Sequence, residues 1–119
     1  MQALRVARHE AAHAIACMAL GGSTVFVSMT DDDGGALLDF FHLSAEERAV
    51  VMVAGGVADN ARWLGLLDAT GFVMSATEAG RRPRALLPLA RKRARLILAL
   101  YGPAVEAVAA RLLERRILL

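Results

Sequence analysis

From Gln2 to Leu20 the chain runs without a glycine or a proline, and most of its residues are alanine, leucine, valine, isoleucine and methionine, all compatible with a helix. Small side chains along its length let other backbones approach closely, so such a helix is expected inside a domain rather than on its surface. Within it stands His9-Glu10-Ala11-Ala12-His13. Residues four apart lie one turn apart on the same face, so both imidazoles can close on one tetrahedral metal. Glu10 then projects beside the metal, where it can take a proton from a water and return it to a leaving amine, as the general base of H-E-x-x-H metalloproteases does. The plainer alternative is a solvated helix face on which Arg5 and Arg8 balance the glutamate. The small apolar residues around the motif count against it.

A chain of 119 residues is expected to form one domain, 1–119, and a 56% hydrophobic content excludes disorder. Aromatic residues are only 5% of the chain, which favours helices packed over small side chains. The single cysteine, Cys17, cannot form an internal disulfide, and any metal must rely on histidine and carboxylate. Cys17 itself reads as a small buried hydrophobe. The best apolar run, Ala49 to Ala58, is ten residues long and contains Gly55 and Gly56, well short of the roughly 18–20 that span a bilayer. Arg5, Arg8, His9 and Glu10 fall where a signal peptide needs its apolar stretch, so a cytoplasmic, soluble protein is expected.

Gly21-Gly22 ends the first helix, and Val25-Phe26-Val27-Ser28-Met29 has the composition of a strand. The turn Asp31-Asp32-Asp33-Gly34-Gly35 leads to a second strand, Ala36 to Phe41, completing a hairpin. The three aspartates are consecutive and lack a later bidentate glutamate, so they read as a solvated turn rather than a calcium loop. Ser44-Ala45-Glu46-Glu47 is a capping box opening a largely buried helix, expected to reach about Leu64. Gly55-Gly56 inside it implies a close backbone neighbour, and Asp59 at its end faces the same interior. Residues 65 to 83, with Gly65, Gly71, Gly80 and Pro83, read as a long functional loop. Two more helices follow, Arg84 to Leu100, with Pro88 near its start, and Ala104 to about Arg116. Trp63 is expected in the core or at an interface, and His42 in a loop.

Charge is unevenly spread. Residues 1–80 hold four arginines against ten acids, a net −6, whereas residues 81–119 hold nine arginines and one lysine against two acids, a net +8. A basic helical hairpin docking on an acidic half accounts for this; a basic face for nucleic acid or an acidic partner is the alternative. Nucleic acid is disfavoured because aromatics for stacking are missing among Arg81, Arg82, Arg84, Arg91, Lys92, Arg93 and Arg95.

The order of these motifs resembles the peptidase M41 family, the protease domain of FtsH-type ATP-dependent zinc metalloproteases. Ala7-Arg8-His9-Glu10-Ala11-Ala12-His13-Ala14 is similar to its H-E-A-G-H-A helix, Val53-Ala54-Gly55-Gly56-Val57-Ala58-Asp59-Asn60 to its L-A-G-R-A-A-E-E helix, and Ala85-Leu86-Leu87-Pro88-Leu89-Ala90-Arg91 to its R-A-x-x-L-A-R helix. Leu112-Leu113-Glu114-Arg115-Arg116 is similar to the late L-L-E-x-x-x-L segment. The resemblance implies a mainly α (α+β), helical zincin-like domain of about four helices with a small β-hairpin after the H-E-x-x-H helix. It also implies that His9 and His13 bind Zn2+ and that Glu10 is the catalytic base of a zinc metallopeptidase acting on peptide or unfolded protein. The family's third ligand is an aspartate in a G-x-x-N-D-L-like stretch before the R-A-x-x-L-A-R helix. The corresponding segment, Ser75 to Arg82, offers only Glu78, with Asp59 the second choice. If neither binds, the chain is an inactive interaction or regulatory module presenting its basic C-terminal helices. No G-x-x-x-x-G-K-[ST] occurs, so no ATP is expected to bind through a P-loop, and any unfolding or delivery of substrate would have to come from elsewhere; a homo-oligomer or a separate partner protein is the expectation for partners.

Overall fold

The computed structural model describes residues 2–119. Five helices and a small antiparallel sheet follow in the order α1 (Gln2–Ala19), β1 (Ser23–Met29), β2 (Gly34–Asp39), α2 (Ala45–Ala58), α3 (Leu66–Glu78), α4 (Pro83–Leu100), α5 (Gly102–Arg115) and β3 (Ile117–Leu118). The mainly helical α+β class expected from the sequence is the one observed, with one helix more than expected.

α1 is the central element, and its small residues explain why. Ala7, Ala11 and Ala14 pack with Val105, Ala109 and Leu112 of α5 and with Val27 and Met29 of the sheet. Ala12 and Ala16, on another side, join Ala49, Val50, Val53 and Ala54 of α2. A helix covered on several sides needs alanine where a larger residue would hold its neighbours apart. Glu10 and His13 are thereby carried into the interior, with 7% and 5% exposure.

The hairpin forms as expected, with an irregularity in register between Thr24 and Phe26, and the sheet order is β2-β1-β3. β3 was not foreseen; two residues carry no periodic signal. β1 therefore lies in the middle of the sheet and β2 at an edge.

Ser44 caps α2 in the reciprocal bond with Glu47 that the sequence predicts. The helix stops at Ala58, short of Leu64: Asn60 takes a left-handed backbone (φ 54°), which ends a helix readily at asparagine. The expected long loop at 65–83 is instead α3 for most of its length. Gly71 stands inside that helix because a Cβ there would come within 2.5 Å of the Met52 sulfur. Its apolar residues mislead as well, since Leu66, Leu67, Val73 and Met74 face solvent and only Phe72, Ser75 and Ala76 are buried. Trp63, expected in the core or at an interface, is 80% exposed in the linker before α3.

The acidic and basic parts of the chain are joined by Arg81–Glu46, Arg93–Glu47 and Arg116–Asp31 ion pairs, and by Arg8–Glu106 in the opposite sense. Each is largely exposed and worth at most about 1 kcal/mol. No single helix among the described residues is long and apolar enough to cross a membrane.

Candidate metal centre

His9 and His13 sit on one face of α1 as the i, i+4 spacing requires, and their Nε2 atoms are 3.1 Å apart. Asp68, in the first turn of α3, completes a triangle: its Oδ2 lies 3.0 Å from His9 Nε2 and 3.2 Å from His13 Nε2. This group can hold a metal ion. A tetrahedral cation with ligands at about 2.0–2.1 Å sets them roughly 3.3–3.4 Å apart, close to the triangle observed.

The other ring nitrogens fix which lone pairs point inward. His13 Nδ1 donates to the Val51 carbonyl at 2.7 Å, and His9 Nδ1 donates to Asp59 Oδ2 at 2.7 Å. A carbonyl and a carboxylate can only accept, so both Nδ1 atoms carry the proton and both Nε2 atoms are free to offer lone pairs. Two imidazole lone pairs and a carboxylate oxygen at about 3 Å repel one another unless a cation lies among them. With a proton as that cation, His9 is raised from 6.5 to about 9. Burial acts to lower it, but the bonds to Asp68 and then Asp59, with the Glu10 charge, outweigh burial. Asp68 is held below the usual carboxylate range. Burial pushes it up, but the hydrogen bonds with His13 and His9 prevail.

Gly55 makes the geometry possible. A Cβ at that position would lie 2.5 Å from the Nε2 of both histidines. The sequence predicted a close backbone neighbour at Gly55-Gly56; at Gly55 the nearest atoms are instead the imidazole side chains of His9 and His13.

The third position corrects the sequence reading. Glu78 lies at the far end of α3, ten residues and about 15 Å of helix rise from Asp68, and pairs with the buried Arg48. Asp59 does reach the site, but it orients His9 through Nδ1 and does not join the Nε2 triangle. Its Oδ1 is buried without a partner among the described residues. Asp68 is the only acid between Asp59 and Glu78, and it stands three residues after Gly65, the N-cap of α3. An acid at the third position of a helix is a recognised start signal, which reading this stretch as a loop obscured.

Glu10 lies beside the triangle. A Cβ on Gly34, the first residue of β2, would come within 2.7 Å of its Cγ, so the glycine leaves room for the carboxylate. Burial raises the Glu10 pKa, with the nearby imidazoles of His13 and His9 pulling it partly back. The triangle and Glu10 open into a cleft of about 410 Å³, bordered by Gly34 to Ala36 of β2, Met52 of α2, and Leu66 and Leu67 of α3. Among the described residues, nothing pairs with the β2 edge that faces away from β1. Comparison with protein-family models, with curated proteins and with solved structures finds no match to this chain.

Proposed function

We propose that the chain is a zinc-dependent peptidase acting on extended peptide or unfolded protein. The observation that carries this reading is the convergence of His9, His13 and Asp68 beside the buried Glu10. Two imidazoles and one carboxylate are a ligand set of catalytic zinc with an open fourth position, and they disfavour calcium, which takes six to eight oxygens. A zinc ion held there supplies Lewis acidity toward water and a peptide carbonyl.

The protein's own groups supply the rest. Glu10, its pKa raised by burial, accepts a proton from water and gives it to the leaving amine. Asp59 fixes the ring of His9, and the Val51 carbonyl that of His13, keeping both Nε2 lone pairs directed into the triangle. Of the two strands that could receive a peptide, β1 is already paired on both sides. β2 remains, and its free edge beside the cleft suits backbone pairing with an extended substrate. Leu66 and Leu67, both more than 80% exposed at the cleft, favour apolar substrate side chains. The competing view of an inactive module leaned on a missing third ligand, and Asp68 removes that reason.

The test is hydrolysis of an unfolded protein such as reduced casein by protein carrying one zinc per chain. Cleavage is expected, abolished by a chelator and reduced by about 10²–10⁴ in Glu10→Gln with zinc retained. Equal behaviour of wild type and Glu10→Gln would overturn the assignment.

A further inference from the structure

Beside the first half of α3, next to Asp68 in sequence, lies a second cavity, of about 450 Å³, between α3, α4 and the linker that carries Trp63. Its floor is apolar and includes Phe72 and Leu87; its rim carries three arginines, Arg62, Arg84 and Arg91, and no acid. Arg84, Leu87 and Arg91 follow at spacings of three and four and so share one face of α4. Arg91 donates to the Arg62 carbonyl at 3.0 Å, which ties the linker to α4. The Arg62 guanidinium lies 6.0 Å from the centre of the Trp63 ring. Among the described residues, no carboxylate pairs with Arg62, Arg84 or Arg91.

We infer that this cavity binds a small aromatic phosphate, with its ring beside Trp63 over the apolar floor and its phosphate on Arg62, Arg84 and Arg91. Three like charges converging on one cavity repel each other, and a dianionic group relieves all three at once. Guanidinium forks match phosphate oxygens in pairs, which a lysine cannot do. The exposed indole supplies a flat apolar face that a ring covers and that inorganic phosphate leaves in water. The volume falls within the roughly 300–1,000 Å³ of small-ligand sites. No P-loop is involved, and the site is independent of the metal triangle.

Trp63 is the only tryptophan in the chain, so its fluorescence reports occupancy directly. The full chain is titrated with AMP, phenyl phosphate, adenosine and inorganic phosphate, with and without chelator. AMP or phenyl phosphate is expected to change the emission saturably, and adenosine and inorganic phosphate are expected to bind about tenfold or more weakly. The tighter of the first two distinguishes a nucleotide from another phosphorylated aryl group as the source. Arg84→Gln is the cleanest variant, because that guanidinium has no hydrogen-bond or ion-pair partner among the described residues and its loss breaks nothing in the fold. It is expected to weaken the phosphate ligands about tenfold with an unchanged melting temperature. Four outcomes overturn the proposal: no saturable response to either aromatic phosphate at millimolar concentration, adenosine binding as tightly as AMP, inorganic phosphate doing so, or Arg84→Gln binding like wild type. Persistence of binding in chelator keeps this result separate from any failure of the zinc reading.

Discussion

Asp68 of α3 meets two histidines in a cleft that also holds Glu10 and Asp33; one turn further along, Phe72 of the same helix lines a cavity ringed by Arg62, Arg84 and Arg91. One helix of 13 residues thus lines both a site suited to a cation and a cavity suited to an anion. The charge asymmetry of the sequence, acidic before residue 80 and basic after it, suggested two halves in contact. The fold gives it a finer grain, since an acidic cleft and an arginine-lined cavity lie at neighbouring positions along α3. The ends of the same helix teach a similar lesson. Both carry an acid, yet Asp68 meets imidazoles and Glu78 meets Arg48, so the surroundings decide which of them can hold a metal.

The two sites can be separated by substitution. The largest effect is expected from Gly55→Ala, which drives a methyl group into both Nε2 atoms. Metal stoichiometry should fall close to zero, and overpacking should cost about 1–3 kcal/mol in thermal or urea unfolding. The response of Trp63 to AMP should survive wherever the protein is folded. Asp59→Asn is milder: it keeps the three ligands but loosens the ring of His9, so competition with a chelator should show zinc affinity lowered about 10–100-fold.

Proton competition gives a graded effect. In the metal-free chain His9 is raised to about 9, so its contribution to stability is fully present below pH 6.5 and is lost as pH rises through about 9. Metal must displace that proton. Zinc affinity should therefore climb by about tenfold per pH unit for this one proton between pH 6.5 and 8.5, and level off above 9. The stabilisation that zinc gives in thermal melts should grow over the same range. A flat profile would show that His9 does not bind the metal. The smallest effect at the metal should come from Arg84→Gln, with zinc affinity and melting temperature unchanged and only the anion side weakened.

Much of this was legible in the sequence, and what was not has a physical cause. The i, i+4 histidines, the capping box at Ser44 and the hairpin are local patterns, each set by helix or turn geometry within a few residues. The third member of the triangle is not local. Asp68 reaches the histidines because α3 packs on α2, which in turn packs on α1, and α3 itself was hidden by an apolar pattern that faces water at Leu66, Leu67, Val73 and Met74. The family resemblance led toward Glu78 because it sits just before α4, yet the acid that reaches the histidines comes ten residues earlier. Trp63 misled in the same way: a lone tryptophan suggests a core or an interface, and here it stands exposed at the rim of a charged cavity.

The most direct measurement is zinc stoichiometry, read with the zinc-induced shift in melting temperature, for the wild type beside Asp68→Ala and Glu78→Ala. One zinc per chain with a clear shift is predicted for the wild type and for Glu78→Ala, and loss of both for Asp68→Ala. A wild type that neither holds zinc nor is stabilised by it, or an Asp68→Ala protein that binds as the wild type does, would contradict the metal centre described by His9, His13 and Asp68.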